Sequence, residues 1–233
     1  MASTSTYVSP LMQIKPVYHP LQDFTAVAQV ASITSVVMVN NAIPVKSVKE
    51  LVAYAKARPG ALNYGSVGPG SAAHLSTAVF NRVTGIDVVH VPFKTVADMY
   101  SDFASGRIQM LIFVQPAALG FLRDGKVRGL AVTSLKRSFA LPDLPTVAEA
   151  GFPGAESDTP YGILAPAKTP RALVNKIGAD IVAVLKKPET KDRFEKLGSE
   201  ATINTSPEAF EKYVRQEYEN YRKLIPEIGL KPQ

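Results

Sequence analysis

The sequence predicts an α/β protein built on a mostly parallel sheet with helices on both faces. Short apolar runs alternate with amphipathic stretches from Val36 to Thr133, the signature of repeated strand–helix–strand units. Glycines punctuate the ends of the helical stretches at Gly60, Gly85, Gly106 and Gly125. The 233 residues are 46% hydrophobic and 20% charged, which suits a globular protein with a substantial core.

Val36-Val37-Met38-Val39 reads as a buried strand. Ser47 caps the helix that follows, with Glu50 as its capping-box partner and Val48, Leu51, Val52 and Ala55 as the apolar stripe. Leu62–Ser66 is a short strand leading into a glycine-rich loop. Ser71 caps the next helix, whose buried face is read as Leu75, Val79 and Val83. Val88–Val91, Ile108–Phe113 and Val127–Thr133 are strands. A helix from Thr95 to about Ala104 and a helical turn after Pro116 lie between them. Residues 141–160, with four prolines and two glycines, form an irregular connection. Tyr161–Ala165 is a further strand, and Thr169-Pro170 starts a long helix with Leu173, Ile177, Ile181 and Leu185 on its apolar face. Ser206-Pro207-Glu208 opens a last helix carrying Phe210, Tyr213, Val214, Tyr221 and Leu224. Residues 35–157 read as one complete α/β domain, and 1–34 with 158–233 as parts of another.

Composition narrows the function. There is no cysteine, so disulfides, thiolate metal sites and a cysteine nucleophile are excluded. The formal charge is +6, but Lys and Arg are scattered singly and Trp is absent. No basic run is interleaved with aromatics as a nucleic-acid groove requires, so no nucleic-acid partner is expected. No apolar run approaches membrane-spanning length, and no secretory leader stands within the chain.

The loop Asn63-Tyr64-Gly65-Ser66-Val67-Gly68-Pro69-Gly70-Ser71 carries the chemistry. A strand, a glycine-rich turn and a helix N-terminus together make an anion cradle, because the first helical turn leaves free N–H groups at the positive end of the macrodipole. A carboxylate or a phosphate would fit, and an ordinary strand–helix turn is the alternative. Gly68-Pro69-Gly70-Ser71-Ala72-Ala73 also satisfies the dinucleotide pattern G-x-G-x-x-A, but Asp87 precedes the next strand instead of ending it, and Pro69 removes an amide. The nucleophile elbow G-x-S-x-G is not met around Ser66. His19, His74 and His90 stand at no metal-ligand spacing, and His74 and His90 read more readily as structural than as catalytic. No catalytic residue, metal site or cofactor is expected.

An ordered series of motifs then runs through nearly the whole chain: Asp23-Phe24, Ser47-Val48-Lys49-Glu50-Leu51, Leu62-Asn63-Tyr64-Gly65-Ser66-Val67-Gly68 with Ser71 and His74-Leu75, His90-Val91-Pro92-Phe93-Lys94, Leu130-Ala131-Val132-Thr133-Ser134, Pro142-Asp143-Leu144-Pro145-Thr146, and Ala165-Pro166-Ala167-Lys168-Thr169-Pro170. With them the chain resembles the Bug-type, TctC-like substrate-binding proteins of tripartite tricarboxylate transporters. The resemblance implies a periplasmic-binding-protein-like, Venus-flytrap fold. Residues 35–157 would be lobe two, and residues 1–34 plus 158–233 a partial lobe one. It implies a periplasmic receptor, not an enzyme, that closes over a di- or tricarboxylate, an aromatic acid or an acidic amino acid and delivers it to membrane permease subunits. Ligand contacts are implied at Tyr64, Ser66, Val67, Gly68, Gly70, Ser71 and Ala72, and from the neighbouring segment at Phe93, Lys94 and Thr95.

Family members carry a longer segment upstream of the part matching Ser3–Pro10, so lobe one is expected to be incomplete, with a homo-oligomer as one way of completing it. Thr95 stands where the family usually has glycine, and Pro160-Tyr161 where a tryptophan is usual. One loop supplying two or three amides contributes about 1.5–3 kcal/mol per bond against an association cost of about 4–15 kcal/mol, so a tight receptor needs donors from more than one segment. A relative repurposed as an enzyme on a carboxylated substrate, and a non-binding dimerisation module, are the two other readings.

Overall fold

The computed structural model describes residues 2–196, 199–202, 206–227 and 229–232; Met1 and Gln233, the first and last residues of the expected partial lobe one, lie outside them. In chain order the first elements are β1 (Ala2–Ser3), α1 (Thr4–Val8), a 3-10 turn at Ser9–Met12, β2 (Phe24–Asn40), α2 (Val48–Lys56), β3 (Leu62–Ser66), α3 (Ala72–Thr84) and β4 (Val88–Pro92). There follow α4 (Val96–Ala104), β5 (Met110–Val114), α5 (Gln115–Arg123), β6 (Val127–Val132), β7 (Asp158–Pro166), α6 (Arg171–Leu185), α7 (Pro188–Lys196), β8 (Glu200–Ala201) and α8 (Pro207–Glu227). Contacts divide the chain into two compact units, Met1–Ile33 with Thr159–Gln233, and Thr34–Asp158.

In the unit Thr34–Asp158 the sheet runs β6-β2-β5-β3-β4. It is mixed, which corrects the mostly parallel sheet expected from the strand–helix rhythm. β3 is parallel to both β4 and β5, whereas β2 is antiparallel to β5 and β6. The apolar run Val36–Val39 is buried on both sides, and a doubly buried strand reads the same in either direction. Its alternation sets the two layers: Val37 and Val39 pack with Met110 and Ile112 under α2 and Phe80 of α3. Val36 and Met38 pack with Leu111 and Phe113 under Met99 and Phe103 of α4 and Ala118 of α5.

The helix caps follow the sequence closely. The Ser47 hydroxyl accepts from Glu50 N–H, and the Glu50 carboxylate accepts from Lys46 N–H at 2.7 Å. Gly85 ends α3 in the left-handed region at φ 67°. The buried face of α3 was misread, however. It is Ala73, His74, Leu75, Ser76, Thr77, Phe80 and Thr84, so Leu75 is buried as expected while Val79 is only half-buried and Val83 is exposed. Thr77 and Thr84 bury without cost to their hydroxyls because Oγ1 donates to Ala73 O at 2.8 Å and to Phe80 O at 2.7 Å. In α6 the buried residues are Val174, Gly178 and Leu185, and Leu173 is exposed.

In the unit formed by the chain ends, β7 lies between β1 and β2, and β8 pairs antiparallel with β2 at Ala31 and Ser32. α8 packs on α1 and α6. Phe210 of α8 is fully buried over Gly162 of β7, which leaves no room for a Cβ there. The elements β1, α1, α7 and β8 carry too few apolar residues to be read from pattern.

Candidate functional site

The site grows from strand direction. Because β3 runs parallel to β4 and β5, the carboxyl ends of all three open on one edge of the sheet. Each then passes into a helix, β3 into α3, β4 into α4 and β5 into α5. Three helix N-termini, with their partial positive charge, therefore collect at that edge, the usual ligand side of an α/β sheet. The register Tyr64↔His90 and Ser66↔Pro92 sets the loop after β3 beside the segment after β4, and Phe93 N–H donates to Ser66 O at 2.8 Å.

Within the loop most donors already have partners. Gly68 N–H donates to Ser66 Oγ at 3.1 Å, and the hydroxyl donates to the Gly68 carbonyl at 3.0 Å. Ser71 N–H returns to Gly68 O at 3.2 Å. Gly70 N–H donates to the ring Nδ1 of His74 at 3.0 Å. Ser71 caps α3 by accepting from His74 N–H. Gly68 and Gly70 have φ of 106° and 74°, backbone that only glycine adopts readily. As first and second residues of the helix, Ala72 and Ala73 keep amides pointing outward with no i−4 carbonyl to bond. They are open donors at the end of the loop.

Beneath the loop three rings stack. His74 and His90 lie 4.0 Å apart at 6°, and Tyr64 lies against both, 5.0 Å from His90 at 27° and 6.3 Å from His74 at 28°. His90 Nε2 is 2.7 Å from Ser66 Oγ. With the hydroxyl proton on Gly68 O the ring N–H donates to Ser66 Oγ, and in the other tautomer the hydroxyl donates to Nε2. Burial and the neighbouring His90 ring push the His74 pKa down to about 4, and burial also lowers His90. Both rings are neutral at ordinary pH. Burial pushes the Tyr64 phenol up.

The Ser66–His90 pair has the spacing of a nucleophile and its base. Yet Ser66 is fully buried and its hydroxyl is committed to the Gly68 backbone, so the pair braces the turn. Among the described residues no group of three His, Asp or Glu is placed to hold a metal, and no helix is long and apolar enough to cross a membrane.

Of the residues singled out from sequence, Tyr64, Ser66, Gly68, Gly70, Ser71 and Ala72 form one continuous turn, with Val67 exposed at its apex. Phe93 is tied to Ser66 and half-buried against the core below α4. Lys94 is exposed at the end of β4. The Thr95 side chain caps α4, accepting from Asp98 N–H at 3.1 Å and donating to the Asp98 carboxylate at 2.8 Å. The sequence reading gave no site role to Ala73 or Gln115, and it read His74 as structural, the part it plays here. Ala73 carries an open amide, His74 holds Gly70, and Gln115, fully buried, opens α5 at the same edge. A glutamine between a buried strand and Pro116 was the available signal for the last.

The family model for the tripartite tricarboxylate transporter family receptor matches residues 1–230. A protein of the tcbD-tcbE intergenic region of Pseudomonas sp. (strain P51) is 32% identical over 229 residues, covering 98% of this chain and 68% of its own length. Among solved structures, R. palustris Rpa4515 with adipate is 33% identical with a TM-score of 0.91, covering 100% of this chain and 78% of the other. MatC (Rpa3494) from Rhodopseudomonas palustris with bound malate is 25% identical with a TM-score of 0.83, covering 96% and 77%. The chain spans about two thirds of the curated relatives it matches, 62% to 68% of the first four.

Proposed function

This chain belongs to the tripartite tricarboxylate transporter receptor family, and from that premise we propose that it binds a small aliphatic dicarboxylate at the carboxyl edge of β3, β4 and β5. The observation that carries the reading is the meeting of three helix N-termini at one edge, with the Ala72 and Ala73 amides open. Adipate and malate in the two R. palustris relatives are both dicarboxylates, which supports the ligand class.

The magnitudes favour a shared grip. Two charged hydrogen bonds at Ala72 and Ala73 contribute about 3–6 kcal/mol, which only offsets the low end of an association cost of about 4–15 kcal/mol. Donors from the starts of α4 and α5 raise the total, and the +6 net charge draws anions toward the protein. The ligand is handed to permease subunits in the periplasm, the working arrangement of such receptors. Calorimetry against adipate, malate, citrate, benzoate and glutamate tests the reading. Saturable binding of a dicarboxylate is expected. Silence across the panel overturns it, and turnover of a panel compound by mass spectrometry replaces it with an enzymatic one.

A further inference from the structure

We propose that His74 is a positioning residue for the carboxylate grip: its Nδ1 fixes the Gly70 amide and so holds the turn in the shape that presents the Ala72 and Ala73 donors. The inference rests on the carboxylate reading above. Four observations carry it. Gly70 N–H points back at the ring of His74, only four residues on, at 3.0 Å. That amide is the one through which the turn enters α3, since Gly70 is followed by the cap residue Ser71. His74 is itself held flat against His90, 4.0 Å away, so the acceptor is fixed in space. His90 repeats the arrangement at the start of the turn, where its Nε2 meets Ser66 Oγ, which in turn holds Gly68. Two stacked histidines thus grip the two positive-φ glycines, one each.

The chemistry makes the device dependent on charge. An imidazole holds the Gly70 amide only while Nδ1 has a lone pair. A proton there sets donor against donor and places a cation 4.0 Å from a second histidine ring. None of β3, β4 and β5 carries a carboxylate to offset that, and the charged group on α3 itself is Arg82. α3 packs against β3 and β5; the one titratable side chain of β3 is Tyr64, β5 has none, and β4 contributes His90. Burial keeps both rings neutral, in keeping with the geometry.

The test uses two substitutions of different kind. His74→Phe keeps a flat ring in the stack and removes the acceptor. His74→Asn returns an oxygen acceptor near the Nδ1 position and cannot be protonated. The first readout needs no ligand: the Gly70 amide resonance in 15N-labelled protein. It is expected to titrate together with His74 in the wild type, to lose hydrogen-exchange protection in His74→Phe, and to stay protected and stop titrating in His74→Asn. The second readout is affinity for adipate and malate. His74→Phe is expected to weaken it at least tenfold at pH 7.5, His74→Asn to recover most of that loss, and wild-type affinity to fall further than that of His74→Asn as the pH approaches 4, both falling as the ligand carboxylates themselves protonate. A Gly70 amide indifferent to His74, or a His74→Phe protein that binds like wild type, overturns the proposal. If the wild type binds neither acid while the Gly70 amide follows His74, it is the carboxylate reading that fails, and the grip on the turn stands.

Discussion

Ala72→Asp places a carboxylate on the first residue of α3, where the open amides lie. Two effects of opposite sign follow from one charge. An acidic side chain in the first turn interacts favourably with the helix dipole, by about 0.3–1 kcal/mol at a partly exposed position. α3 now has no acidic residue in that turn, so the full effect is available. A ligand carboxylate on the Ala72 and Ala73 amides would lie on the order of 5 Å from the new group, where like charges repel by about 3 kcal/mol at an effective dielectric constant of about 20. That is on the order of a hundredfold in affinity. Thermal unfolding and calorimetry with adipate or malate are read on the same preparation. The expected result is a midpoint that holds or rises together with dissociation constants at least thirtyfold weaker. A variant of undiminished stability that binds with unchanged affinity refutes the placement of the ligand at α3.

Three further outcomes test the frame around the site. Gly162→Ala drives a methyl into the Phe210 ring and to 2.9 Å from Ala28 O, so the urea midpoint should drop by the equivalent of about 2–3 kcal/mol, the upper range for overpacking. Asn40→Ala removes the side chain that donates to Phe103 O at 2.6 Å and Ala104 O at 3.2 Å and accepts from Ala42 N–H at 2.8 Å, leaving the end of α4 uncapped. A loss of about 2 kcal/mol or more is expected by chemical denaturation. A histidine held below its ordinary pKa favours the fold most above pH 6.5. With His74 held at about 4, stability should fall as pH drops from 6.5 to 4 and level off below. His74→Asn should flatten that part of the profile, followed by denaturation at stepped pH.

Much of the fold was legible from sequence where local chemistry decides it. Ser47 and Ser71 cap their helices as read, because a hydroxyl ahead of an apolar stripe has few other uses, and Thr95, read as the first helical residue, proves to be a cap as well. β3 begins and ends where its turn residues place it. Strand direction was not legible, since Val36–Val39 is apolar and buried on both faces and so reads the same in either direction. The buried face of α3 was misread because Thr77 and Thr84 look polar in a sequence and become apolar once their hydroxyls bond the preceding turn. The glycine-rich turn was found by its glycines and serines, but those residues largely bond one another. The open amides belong to Ala72 and Ala73, whose side chains signal nothing. The stack of Tyr64, His90 and His74 depends on the pairing of β3 with β4, which sets Tyr64 opposite His90, a relation no local pattern encodes.

The most direct measurement is an amide chemical-shift titration of the 15N-labelled protein with adipate and with malate. Binding at the proposed edge should move the resonances of Ala72 and Ala73 first and most, followed by those at the starts of α4 and α5, with saturation. Saturable shifts that leave Ala72 and Ala73 unmoved and cluster elsewhere in the chain would contradict a carboxylate site at the start of α3.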